Sequence, residues 1–148
     1  MERIKKWVVV SSVQLDRVRT SWVEYKKSVE KLETDDILKA NRLLWGDLYF
    51  LYIALNNLFK AFGSKPLPKS IIDAVLYKDL RKDIRLLRDI HEHWEQKEIR
   101  SLKIFETRHK NASPYTIRLK PFEKFEASVL DLNEIQSIIL KLENALDP

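Results

Sequence analysis

The sequence predicts an all-α chain: an antiparallel four-helix bundle with a basic loop or short β-hairpin before the last helix. Three observations carry that prediction. Apolar residues recur at spacings of three and four over four long windows, the period of a helix with one buried face. Only 2 Gly and 5 Pro occur in 148 residues, which suits long uninterrupted helices. Cap and stop residues stand where the apolar periods begin and end. At 45% hydrophobic and 33% charged the chain reads as globular, and its length suits one domain, residues 1–148.

The first helix is expected from about Lys5 to Leu32, with Val8, Leu15, Val18, Trp22, Tyr25, Val29 and Leu32 on one stripe. Thr34-Asp35-Asp36 offers N-cap chemistry for a second, from about Asp36 to Phe62. Leu44, Leu48, Leu51, Leu55, Leu58 and Phe62 form one stripe there, and Trp45, Tyr49, Tyr52 and Phe59 a second. So wide an apolar arc marks this helix as the most buried. Gly46 costs it stability, which a close helix–helix approach would explain. Gly63 stops it and Pro66-Leu67-Pro68 forbids continuation.

Ser70, with Asp73 three residues on, offers a cap for a third helix, expected to break near Leu76–Asp79 and run on to about Glu98. Its core stripe reads Leu80, Ile84, Leu87, His91, Trp94. From Leu102 to Phe122 the period fades. Tyr115–Lys120 alternates like a strand, with Leu102–Phe105 as a hairpin partner and Lys110–Pro114 as the turn. A last helix runs from about Phe125 to Leu146, with Leu132, Ile135, Ile139, Leu142 and Leu146 on one face. Up-down packing is the simplest arrangement of four such helices.

Composition also excludes chemistry. With 0 Cys there is no disulfide, thiolate ligand or thiol nucleophile, which fits a reducing compartment. There is no Gly-rich phosphate loop and no cofactor is expected. The apolar run near Met1 is short, lacks a small-residue cleavage site and is followed at once by Gln14-Leu15-Asp16-Arg17, so it reads as the front of a helix and not as a leader. No apolar run approaches the roughly 20 residues of a membrane span, so a cytoplasmic protein without a membrane partner is expected.

The net charge of +5 is concentrated. Lys97, Arg100, Lys103, Arg108, Lys110, Arg118, Lys120 and Lys124 stand against only Glu98, Glu106 and Glu123, while the rest of the chain is balanced. That segment is either a solvated loop or the positive patch a polyanion needs.

Just before it lies Arg85-Leu-Leu-Arg88-Asp89-Ile-His91-Glu-His93, with two of the three histidines. Imidazole moves protons near neutral pH and guanidinium holds phosphate, so the segment combines both abilities. Asp89 and His93, four apart, share a helix face, where Asp89 would orient His93 or raise its pKa. A spacing of five turns Arg88 and His93 about 140° apart, so they meet over one substrate only if the helix ends there or a second copy contributes. His91 falls on the core stripe, where a hydrogen-bonded packing role is the simpler reading. His91 and His93, two apart, point about 200° apart, so with His109 they make no metal site on a regular helix.

Arg88-Asp89-Ile-His-Glu-His93, an arginine, a polar residue and a histidine after four intervening positions, resembles the motif of the HEPN superfamily in an all-helical chain of this size. Arg85 and His91 give the five-residue form. The resemblance implies a helical bundle that forms a homodimer, with Arg88 and His93 of both copies lining a cleft. It implies a metal-independent endoribonuclease of a toxin–antitoxin, abortive-infection or RNA-processing system, acting in phage defence or stress. The RNA 2′-OH would attack the adjacent phosphate, His93 would carry protons, and Arg88 would stabilise the charge on the phosphoryl oxygens. Arg85, Arg100, Lys103, Arg108, Lys110, Arg118 and Lys120 would hold the RNA, and an antitoxin or other regulatory protein is an expected partner. Glu95 stands where relatives paired with nucleotidyltransferase antitoxins carry Tyr, so control through that tyrosine is not implied. The alternative is a non-catalytic helical module that binds RNA or a protein partner.

Overall fold

The computed structural model describes residues 1–63, 65–93, 95–96, 99–110, 114 and 130–146. These form five helices: α1 (Glu2–Lys31), α2 (Thr34–Phe62), α3 (Ala74–Glu92), α4 (Arg100–Arg108) and α5 (Leu132–Leu146). Among the described residues there is no strand, and no helix is long and apolar enough to cross a membrane.

α1 ends where Leu32 adopts a left-handed conformation (φ 56°) and donates its N–H to the Val29 carbonyl at 3.2 Å. A Cβ in that region is strained by roughly 1–2 kcal/mol, the cost of so tight a turn without glycine. α2 begins at Thr34 with Glu33 as its N-cap and no side-chain cap bond, so the expected cap at Thr34–Asp36 lies inside the helix. It then lies along α1. Val8, Leu15 and Val18 are buried with Leu44, Leu48, Leu51, Leu55 and Leu58, each contributing about 1.5–3 kcal/mol through burial. The outer end of the α1 stripe is not covered: Val29 and Leu32 are exposed. Polar clamps fix the pair. Gln14 Nε2 donates to the Asp47 carbonyl at 3.0 Å, and Ser21 Oγ donates to the Asp47 carboxylate.

Among the described residues Gly46 serves no close approach: none of their heavy atoms lies within 4 Å of the place its Cβ would occupy, and Gly46 lies on the opposite side of α2 from buried Leu44 and Leu48. Gly63 (φ 62°) ends α2 as expected, in a region that a side chain rarely adopts.

α3 starts three residues after the cap expected at Ser70: Asp73 is the N-cap, and its Oδ1 accepts the Val75 N–H at 2.8 Å. The break expected near Leu76–Asp79 does not occur: the helix is continuous from Ala74 to Glu92. It packs on α2 through Phe59 and Tyr77, whose rings meet edge to face at 5.3 Å. Residues 102–105, expected as a strand, belong to α4. Leu102 and Phe105 are three apart on a helix whose contacts to α3 hold it, and tertiary packing outweighs the faint strand pattern. The other half of the expected hairpin, residues 115–120, lies outside the described residues, as do residues 125–129 of the expected last helix and Trp94 of the α3 stripe. Asp131 Oδ1 caps α5 by accepting the N–H groups of Asn133 and Glu134. α5 buries Ile135, Ile138, Ile139 and Leu142 against the common core and meets α1, where Arg19 donates to Gln136 Oε1 at 2.5 Å.

Candidate functional site

The site is built at the C-terminal end of α3, between α2 and α4. Ile84, Leu87 and Ile90 are buried and anchor the helix. Their registry sends Arg88 and Asp89 to the half-covered flank, with side chains 24% and 23% exposed. The helix stops at Glu92. His93 is the C-cap, with φ −116°, and its N–H donates to the Asp89 carbonyl at 3.2 Å. Its ring is exposed, with Nδ1 lying 3.4 Å from the Gln96 side-chain amide.

Asp89 links the segment. Its Oδ1 accepts from Arg88 Nε at 3.0 Å and from a terminal guanidinium nitrogen, and its Oδ2 accepts from Ser101 Oγ of α4 at 3.3 Å. The expectation that Asp89 would orient His93 needs correction in its detail. The carboxylate faces Arg88 and Ser101, and only the Asp89 backbone reaches His93. A spacing of four shares one face only while the helix continues, and His93 has already left the helical path. Among the described residues no polar contact joins Arg88 to His93.

His91 is on the core stripe, as its position predicts. Its ring lies 5.0 Å from that of Trp45 and 5.3 Å from that of Tyr52, both on α2. Burial pushes its pKa down to about 4, against the opposing effect of a hydrogen bond with the Pro114 backbone. Proline has no N–H, so the ring donates to the Pro114 carbonyl. His91 is therefore a neutral packing residue near pH 7. Burial likewise raises the pKa of the neighbouring Tyr52 hydroxyl.

The basic residues divide. Arg85, Arg100, Lys103 and Lys110 are exposed. Arg108 is not free for a polyanion: its Nε donates to Asp83 Oδ1 at 3.1 Å and it pairs with Asp79 at 3.5 Å, so its charge is answered inside the fold. Arg118 and Lys120 lie outside the described residues.

Sequence reasoning missed Asp83, Ser101 and the role of His109. Asp83 is 7% exposed, and His109 Nε2 lies 2.8 Å from its Oδ1. The His109 ring also packs 5.0 Å from Phe105. One signal was readable: Asp83 falls three residues after Leu80 and four before Leu87, on the core stripe. A carboxylate there requires buried donors. Ser101 gave no signal. The three histidines thus sit in three separate environments, and among the described residues no group of three His, Asp or Glu is arranged to hold a metal ion.

A groove of about 870 Å³ runs between α1 and α2, lined by Val13, Arg17, Ser21, Lys27, Lys39 and Leu43 among others. None of the expected site residues lines it, so it has no part in the chemistry expected of Arg88 and His93. No family model, no curated protein and no solved structure matches the chain.

Proposed function

We propose that the chain is a HEPN-like, metal-independent endoribonuclease whose helices α1, α2, α3 and α5 form an antiparallel four-helix bundle and whose working form is a homodimer in the cytoplasm. The observation that carries the reading is the end of α3 at Glu92. It leaves His93 exposed at the helix terminus, one turn beyond a half-covered Arg88–Asp89 pair. An exposed imidazole can reach a ribose 2′-OH, and a half-covered guanidinium five residues earlier in the chain can bind a phosphate. His93 takes the 2′-OH proton as the 2′-oxygen attacks phosphorus. The P–O5′ bond breaks, the 5′-oxygen takes up a proton, and a 2′,3′-cyclic phosphate remains. Arg88 stabilises the extra negative charge on the phosphoryl oxygens. Arg85, Arg100, Lys103 and Lys110 supply exposed positive charge on α3 and after it for the RNA backbone. A role in toxin–antitoxin, abortive-infection or RNA-processing systems, under an antitoxin or other regulatory protein, belongs to the same proposal.

One observation favours the alternative of a non-catalytic module that binds RNA or a protein. The Arg88 guanidinium is already paired with Asp89, and that pair must open or share its donors before a phosphate can bind. The test is incubation of the protein with mixed RNA in EDTA, with His93→Ala and Arg88→Ala alongside. Cleavage by the wild type and loss in both variants support the nuclease. RNA retention without cleavage supports the binding module.

A further inference from the structure

Arg88 and Asp89 are neighbours on α3, and adjacent side chains on a helix diverge by about 100°. An ion pair between them is not what the helix alone produces. It needs both side chains to lean together, at a cost in rotamer freedom. A third group holds it. Ser101 Oγ, in the first turn of α4, donates to Asp89 Oδ2 at 3.3 Å. That bond decides the form of the pair. A carboxylate and a guanidinium commonly meet fork to fork, with both oxygens engaged. Here Oδ2 goes to Ser101, and Oδ1 alone accepts from Arg88, from Nε at 3.0 Å and from Nη2. A guanidinium carries five N–H groups, and Asp89 takes one on Nε and one on Nη2. The other three, both on Nη1 and one on Nη2, meet no acceptor among the described residues. They lie in one plane, the arrangement that suits phosphate oxygens.

We propose that Ser101 is a positioning residue: through Asp89 it holds the Arg88 guanidinium by its Nε edge and presents the remaining N–H groups to a phosphodiester. The inference rests on the phosphate role given to Arg88 above and names the group that fits Arg88 for it. Ser101 is itself held in place. α4 lies on α3 through Phe105, which is fully buried, and its far end is tied by Arg108 Nε to Asp83 Oδ1 at 3.1 Å. The hydroxyl belongs to a half-buried residue twelve positions beyond Asp89, so the link is tertiary and depends on α4 being docked. With Oδ2 fixed, the carboxylate cannot turn freely, and the long Arg88 side chain is ordered before any anion arrives. Ordering it beforehand removes a cost that binding would otherwise carry. The Arg88–Asp89 pair then stays closed when phosphate binds, and the guanidinium shares its donors between the two anions.

The test follows the Arg88 side-chain Nε–H signal by ¹H–¹⁵N NMR of the full chain while inorganic phosphate is added at constant ionic strength. The signal is assigned by its loss in Arg88→Lys. In the wild type, phosphate is expected to shift it saturably. In Ser101→Ala the Nε–H is expected to exchange with water about tenfold faster, the order expected when a hydrogen bond to a charged group loses its support. Phosphate binding is expected to weaken roughly threefold or more, the cost of ordering one long side chain that is no longer held. Backbone signals of α3 and α4 report that the fold is kept. Ser101→Thr, which retains the hydroxyl, is expected to restore both values. An Arg88 signal indifferent to phosphate, unchanged exchange and binding in Ser101→Ala, or tighter phosphate binding in that variant would overturn the proposal. So would a Ser101→Thr variant that behaves like Ser101→Ala. No RNA enters this measurement. Wild type that answers phosphate at Arg88 but leaves RNA uncut would sink the nuclease reading and leave the role of Ser101 standing.

Discussion

α3 has two seams, and each holds an imidazole in the opposite way. Against α2 the seam is aromatic and apolar: His91 between Trp45 and Tyr52, with Phe59 on Tyr77. Against α4 the seam is ionic: Asp83 takes Arg108 and His109, and Asp89 takes Arg88 and Ser101. The first seam keeps its histidine neutral by desolvation, while the second offers its histidine a carboxylate. The comparison shows why histidine content alone says little about chemistry. His93, at the tip where α3 ends, belongs to neither seam and alone of the three described rings is largely exposed.

The largest expected effect lies in the apolar seam. Phe59 is 2% exposed, and Phe59→Ala is expected to cost about 3–5 kcal/mol, read as a lower urea midpoint at unchanged slope. In the same seam, acid titrates stability through His91. Its folded pKa of about 4 lies below the ordinary value of 6.5, so the unfolded chain takes up a proton first as pH falls. The contribution is fully present above pH 6.5 and is lost on the way down to about 4, amounting to on the order of 3 kcal/mol. His91→Phe is expected to flatten the stability–pH curve in that window, with the difference curve against wild type as the readout. An identical curve would place the acid sensitivity elsewhere.

The ionic seam responds differently. Asp83→Ala leaves Arg108 and His109 without their shared acceptor and is expected to cost about 1–3 kcal/mol, falling as salt is raised. Hydrogen exchange checks the location: amides of α4 should lose protection before those of α2. If both helices lose protection equally, the two seams are not separable. Smaller still, Leu32→Gly at the α1–α2 turn removes the left-handed Cβ strain and is expected to raise stability by about 1 kcal/mol, measured as an upward shift in thermal midpoint.

Much of the fold was legible because the evidence for helices is local. The α1 and α2 windows and the body of α3 follow from apolar period and from the stop at Gly63, while α3 begins at Asp73 and not Ser70 and ends at Glu92, short of the expected Glu98. What was not legible depends on partners far away in sequence. Residues 102–105 look extended in isolation and are helical because α4 has α3 to lie on. Gly46 looked like an internal contact point, and its position outside the core follows only from how α1 and α3 flank α2. At the site, Arg88, Asp89 and His93 were readable as neighbours, but the helix stop at Glu92 redirects His93 away from the Asp89 carboxylate. Arg108 read as one more free cation because its acceptor, Asp83, lies 25 residues earlier.

The most direct measurement is cleavage of an RNA oligonucleotide in EDTA by wild type and His93→Ala, beside the same oligonucleotide with 2′-deoxyriboses. The account predicts that the wild type cuts the RNA to leave 2′,3′-cyclic phosphate ends, spares the deoxy version, and loses cleavage in His93→Ala with the fold intact. Cleavage of equal rate in His93→Ala, or equal cutting of the deoxy strand, would contradict it.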